Sequence, residues 1–206
     1  MEYINKIINN PLLNFGFDEN NYIYYQELSS KNGKRYDYII NNNDDINAYS
    51  SHSPSCSTLY EVISKLDITE NDSIIDIGSG KGFALVLFSL FNFSNITGIE
   101  INAADYDVCV NNLQVLKLEK KINVVKNDCL NFNEFNKYNY FYFYNPFNAD
   151  LFDKLISNIV DVCNHRIRII YKNIHHEEET ILRKNNFVLI KEILGKDRAY
   201  KIYERL

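Results

Sequence analysis

Between Asp72 and Gly82 the chain reads Asp-Ser-Ile-Ile-Asp-Ile-Gly-Ser-Gly-Lys-Gly. Ser73 to Ile77 has the β-branched composition of a buried strand. Asp76 stands near its end, three glycines follow at alternate positions, and an apolar segment of helical length begins at Gly82. Glycines at such a point let the backbone turn sharply and approach a ligand where a Cβ would collide. Two phosphate-binding patterns are excluded: G-x-x-x-x-G-K-[ST] is absent, and G-x-G-x-x-G counted from Gly78 ends on Phe83. What remains is D-x-G-x-G-x-G on Asp76, Gly78, Gly80 and Gly82, read either as a cofactor loop or as a bare strand-to-helix turn.

The rest of the chain favours a cofactor loop, because strands and helices alternate around it. Besides Ser73 to Ile77, the expected strands are Asn95 to Ile99, Ile122 to Lys126, Asn139 to Tyr144 and Arg166 to Tyr171. Between them, Gly82 to Phe93, Ala103 to Leu118, Asp150 to Cys163 and His175 to Lys184 are long enough to cross back over a sheet. Phe187 to Ile193 and Ala199 to Tyr203 are separated by hairpin length only, so the sheet should finish antiparallel. Upstream, Thr58 to Glu61 has capping-box spacing, and Leu59, Val62, Ile63 and Leu66 fall on one helical face. The expectation is an α/β Rossmann-like fold: seven strands, mainly parallel, with a C-terminal antiparallel hairpin and helices on both faces.

With 206 residues, the chain has one domain's worth of core. Residues 58–206 are assigned to it. Residues 1–57 read as an N-terminal extension with a hairpin around Asn32-Gly33, a possible substrate lid. Recurrent apolar clusters argue against disorder despite the many asparagines. A balance of 22 basic against 27 acidic residues, net −5, discourages a polyanion partner. The four cysteines form no C-x-x-C pair, and no apolar run approaches membrane-spanning length. A cytoplasmic protein without a membrane partner or a metal site is expected.

Two further positions carry chemistry. Asn95 to Glu100 places a carboxylate 22 residues after Gly78, where a ribose held on the first loop presents its hydroxyls; an ionised carboxylate accepts both hydrogen bonds. Asn145-Pro146-Phe147 follows the aromatic run Tyr140 to Tyr144, at the end of a parallel sheet where ligands bind. Each also has a structural reading, Glu100 as a solvated strand end and Pro146 as a strand terminator.

Taken together, D-x-G-x-G-K-G, Gly98-Ile99-Glu100 and Asn145-Pro146-Phe147 resemble the class I S-adenosylmethionine (SAM) dependent methyltransferases, closest to an uncharacterised bacterial group, over residues 54 to 206. Pro54-Ser55 stands where that group has Pro-Thr. The resemblance implies SAM as cofactor, with Asp76 and the backbone of Gly78, Ser79, Gly80 and Gly82 at its methionine portion and Glu100 at the ribose. It also implies that Asp128 and the Cys129 N–H read adenine, although Asp128 equally suits a turn. Asn145-Pro146-Phe147 resembles the N-P-P-[YF] motif of amino-group methyltransferases, minus the second proline, with Asn145 reaching both cofactor and acceptor. An amino nitrogen is therefore slightly favoured over oxygen.

His175, at the start of the helix after the fifth strand, could take a proton from the acceptor. It and His176 also suit a first helical turn beside Glu177, Glu178 and Glu179. Lys117, Lys120, Lys121 and Lys126 form a modest basic cluster, read as a solvated helix end before an RNA contact. A small molecule or protein side chain is thus the favoured acceptor, ahead of nucleic acid. The alternatives are a SAM-binding sensor or assembly subunit without activity and, less so, an RNA methyltransferase; Phe83 disfavours a nicotinamide oxidoreductase.

Overall fold

The computed structural model describes residues 56–194 and 199–206. The expected N-terminal hairpin and the Pro54-Ser55 pair lie outside the described residues. In chain order the elements are α1 (Cys56–Ser64), β1 (Ser73–Ile77), α2 (Phe83–Phe88), β2 (Asn95–Glu100), α3 (Ala103–Val115), β3 (Ile122–Lys126), β4 (Tyr140–Phe143), α4 (Ala149–Val162), β5 (Ile167–Lys172), α5 (His176–Lys184), β6 (Val188–Leu194) and β7 (Ala199–Arg205). Two 3-10 turns, Cys129–Asn131 and Phe135–Lys137, join β3 to β4.

The described strands form one sheet in the order β3-β2-β1-β4-β5-β7-β6. β1 to β5 run parallel, and β7 lies antiparallel to both β5 and β6. Short crossovers on a right-twisted sheet wind first one way from β1 and then the other, so the direction reverses between β1 and β4. The loops after those two strands open beside each other.

Strand alternation divides the core. Tyr140 and Tyr142 pack with α1, α2 and Cys109 and Leu113 of α3, while Phe141 and Phe143 pack with α4 and α5 on the opposite face. The helices therefore cover both faces, as the sequence pattern implies. Phe152, Leu155, Ile156 and Ile159 of α4 are fully buried, each contributing about 1.5–3 kcal/mol through apolar burial. Asn148 starts this helix by accepting the Leu151 N–H at 3.1 Å, satisfying one of the free first-turn donors.

Two local expectations are corrected. Thr58 lies inside α1 and does not cap it. α2 ends at Phe88, well short of Phe93: all six of its residues are buried, and the chain needs the next residues to turn into β2.

Candidate functional site

At the end of β1 the chain enters the left-handed region three times, with φ of 79° at Gly78, 52° at Gly80 and 85° at Gly82. Other residues meet a steric penalty there. The Gly78 and Ser79 N–H groups both donate to the Ile99 carbonyl, at 3.0 and 2.9 Å, which pins the loop to the end of β2. A methyl group on Gly82 would fall 2.4 Å from Cys109 Sγ, so α3 packs directly on the loop.

Glu100 ends β2 and is 7% exposed. Its Oε2 accepts the Gly80 N–H at 2.7 Å and its Oε1 the Asn102 N–H at 2.8 Å. Burial raises its carboxyl above the ordinary range, opposed by those backbone donors. Asp76, 3% exposed, receives no hydrogen bond from the described residues. Burial, and secondarily the charge of Glu100, pushes its carboxyl well above the ordinary carboxylate range. Two buried acids therefore stand beside the loop, a setting that favours a ligand with positive charge and hydroxyl donors.

Asp128 follows β3, and its Oδ1 accepts the Leu130 N–H at 2.9 Å, capping the turn that Cys129 begins. The turn reading is thus correct as far as it goes, and the cap fixes the carboxylate beside β2's end, where the Asn127 N–H donates to the Glu100 carbonyl. Burial raises the Cys109 and Cys129 thiols to about 12. Both stay protonated near neutrality, and neither is a nucleophile.

On the other side of the loop, β4 delivers Asn145 with φ 43°. Its Oδ1 is buried without a partner among the described residues, and its Nδ2 lies 3.3 Å from His175 Nε2. β4 and β5 are hydrogen-bonded neighbours, with Phe143 paired to Tyr171, which brings the two following loops together. Pro146 closes against the glycine loop, because a methyl on Gly78 would be 3.1 Å from Pro146 Cβ. Phe147 is 5% exposed and belongs to the apolar cluster with Ile77, Ile99 and Phe143; its ring is core beneath the loop.

The sequence residues therefore lie at the carboxyl ends of the parallel strands, with one group left out. Lys117, Lys120 and Lys121 precede β3 and lie at the opposite, amino end of the parallel strands, where Lys121 Nζ donates to the Ser89 carbonyl. Only Lys126 reaches the ligand end, with its ammonium 6.0 Å from the Tyr106 ring centre. Sequence reasoning missed Lys172. This buried lysine ends β5, 4.2 Å from the ring centre of Tyr144 and 5.7 Å from that of Tyr200. A charged residue closing an apolar strand at its carboxyl end was the available signal.

Comparison with known proteins places this arrangement. The model of the family described as ribosomal RNA adenine dimethylase matches residues 54–161. The EEF1A lysine methyltransferase 2 of Danio rerio is 42% identical over 65 residues, 32% of this chain and 28% of that protein; the chain thus matches under a third of that relative's length. Among solved structures, the RNA methyltransferase from Salinibacter ruber in complex with S-adenosyl-L-homocysteine superposes with a TM-score of 0.60 at 13% identity, over 75% of this chain and 92% of that one. The tRNA methyltransferase TrmK of B. subtilis gives 0.59 at 19% identity, over 75% and 65%.

Proposed function

The chain belongs to the ribosomal RNA adenine dimethylase family, and on that premise we propose that it methylates an amino nitrogen held at Asn145, Pro146 and Phe147. It is a SAM-dependent methyltransferase with a Rossmann-like fold, and its cofactor is SAM.

The residues present fit that cofactor. Asp76 is a buried acid without a donor among the described residues, suited to the cationic methionine portion beside the backbone of Gly78, Ser79, Gly80 and Gly82. Glu100 is held by backbone N–H groups at the distance along the chain where ribose hydroxyls arrive. Asp128, oriented by its own cap, and the Cys129 N–H take the adenine. The bound cofactor supplies a methyl group on a positively charged sulfur, already activated for displacement. What the chain contributes is alignment and the exclusion of water. Asn145 and the neighbouring backbone hold the acceptor nitrogen, and His175 borders it.

One observation carries the acceptor assignment: the partnerless buried Oδ1 of Asn145, across the crevice from the glycine loop. A buried acceptor of this kind costs about 1–3 kcal/mol unless an N–H arrives. An amino group brings one. Adenine and lysine, the acceptors in the names of the matched family and of the zebrafish relative, both carry amino nitrogen. The net charge of −5 favours a protein side chain or small molecule over RNA. We place the reaction in the cytoplasm, a reading supported by the free buried thiols of Cys109, Cys129 and Cys163 among the described residues. Among the described residues no helix is long and apolar enough to cross a membrane.

RNA is the second reading, favoured by the family description. Transfer of labelled methyl from SAM into a fractionated cell extract separates the two. Label recovered as an N-methylated amino acid or small amine supports the first; label in nuclease-sensitive N-methyladenine supports the second. Label released as methanol by mild base, from a methyl ester, overturns the nitrogen assignment. SAM binding without label in any fraction marks a sensor.

A further inference from the structure

The register of β4 with β1 and with β5 ends at Phe143. Tyr144 and Asn145 continue beyond the paired strand. Asn145 takes a left-handed backbone at φ 43°, and Pro146 has no N–H to offer a neighbouring strand. The placement of Asn145 therefore falls to contacts made by the residues before and after it. One is Pro146 against Gly78. The other is Tyr144 against Lys172.

Lys172 is fixed where Tyr144 is not. It lies inside β5, in register with Tyr200 of β7, and is 5% exposed. Its ammonium stands 4.2 Å from the ring centre of Tyr144 and 5.7 Å from that of the fully buried Tyr200. These rings come from the two strands that flank β5 in the sheet. An ammonium removed from water is costly, and the negative face of an aromatic ring attracts it more strongly there than at an exposed site. Only two staggered or near-planar torsions separate the Tyr144 ring from the main chain. A held ring therefore restrains the backbone that leads into Asn145.

We propose that Lys172 is a positioning residue for methyl transfer: its ammonium holds the Tyr144 ring and thereby sets where Asn145 presents the acceptor. The assignment rests on the reading above that Asn145 holds the acceptor, and it is independent of which acceptor atom is methylated. In this role Lys172 touches neither cofactor nor acceptor, and no proton or methyl group passes through it. An unbranched apolar side chain fills the same space without the attraction, whereas arginine brings a cation that also stacks on a ring.

Labelled methyl transfer from SAM into cell extract, measured alongside SAM affinity, tests this on variants of the whole protein. Lys172→Met should lower transfer about tenfold with SAM affinity within twofold. Lys172→Arg should recover to within threefold of the parent. Tyr144→Leu should fall as far as Lys172→Met, and Tyr144→Phe, which keeps the ring face, should recover to within threefold. The double variant Lys172→Met, Tyr144→Leu should fall no further than either single one. If Lys172→Arg is as impaired as Lys172→Met, or if the two single losses multiply in the double variant, the ammonium does not act through the ring and the proposal is overturned. A loss of SAM affinity equal to the loss of transfer overturns it as well. Asn145→Gly tests the premise separately: should that variant transfer as well as the parent, the acceptor lies elsewhere and the Asn145 reading fails, whatever the lysine variants do.

Discussion

Glu100 Oε2 accepts the N–H of Gly80 at 2.7 Å, so the acid at the end of β2 holds the loop at the end of β1 in shape before any ligand arrives. Its second oxygen holds the chain entering α3. The residue expected to meet the ribose is also the tie between three elements.

Glu100→Ala should therefore weaken SAM binding by about 1–3 kcal/mol, the scale for leaving buried partners unsatisfied. Thermal stability without cofactor should fall as well. Glu100→Gln keeps one acceptor oxygen and should lose less on both counts. Calorimetric titration and thermal melts of the three proteins check this; unchanged affinity in the Ala variant would put the ribose elsewhere.

Asp76 gives a pH signature. Its folded-state acidity is weakened by burial and then by Glu100, so the folded protein holds this proton more tightly than the unfolded chain does. The stabilising contribution is complete below the unfolded pKa and is lost as pH rises through the folded one. As pH rises above the ordinary carboxylate range the cofactor-free protein should lose denaturant resistance from this source, and Asp76→Asn should flatten that part of the curve. Binding of cationic SAM favours the ionised form, and titrations in buffers of different ionisation enthalpy should register proton release.

Gly82 tests the packing beneath the loop. Gly82→Ala introduces a methyl 2.4 Å from Cys109 Sγ and a side chain at φ 85°. The backbone alone costs about 1–2 kcal/mol. Adding Cys109→Ala should relieve the collision and leave the backbone cost, so the two substitutions together should be less destabilising than their sum. Denaturation of the four members of the cycle measures it; strict additivity would mean that the loop moves away from α3 at little cost.

Asn145 is best removed by Asn145→Gly, which keeps the left-handed backbone. Methyl transfer should fall by about 100-fold, the scale for deleting one pre-organised polar group at a reacting centre, with SAM affinity within a few-fold. A loss of SAM binding equal to the loss of transfer would make this residue a cofactor contact and no more.

Most strands could be read from the chain because each is a short β-branched or aromatic run bounded by turn residues; Ser73–Ile77 and Ile122–Lys126 match residue for residue. Helix ends read less well. Thr58 has a capping-box partner in Glu61, yet the helix already contains both, because spacing alone does not say where the backbone first turns helical. The site was visible where it is contiguous, at Asp76 to Gly82 and Asn145 to Phe147. What pairing brings together was not. Gly98 illustrates this: a methyl there would lie 2.7 Å from Ser79 Oγ and 2.6 Å from Leu85 Cδ1, a constraint set across β1 and β2 that no local pattern announces. The same holds for His175 against Asn145 and for Lys172 between two tyrosines, joined only by neighbouring strand ends.

Gly78 and Pro146 lie so close that even one methyl group between them would crowd the pair. The loop after β1 and the segment after β4 therefore pack against each other at a point where only a glycine fits without a neighbour giving way. A side chain at Gly78 would have to push Pro146 aside by a few tenths of an ångström, and Asn145 is bonded directly to that ring, so the identity of one residue in the loop after β1 bears on the placement of another after β4.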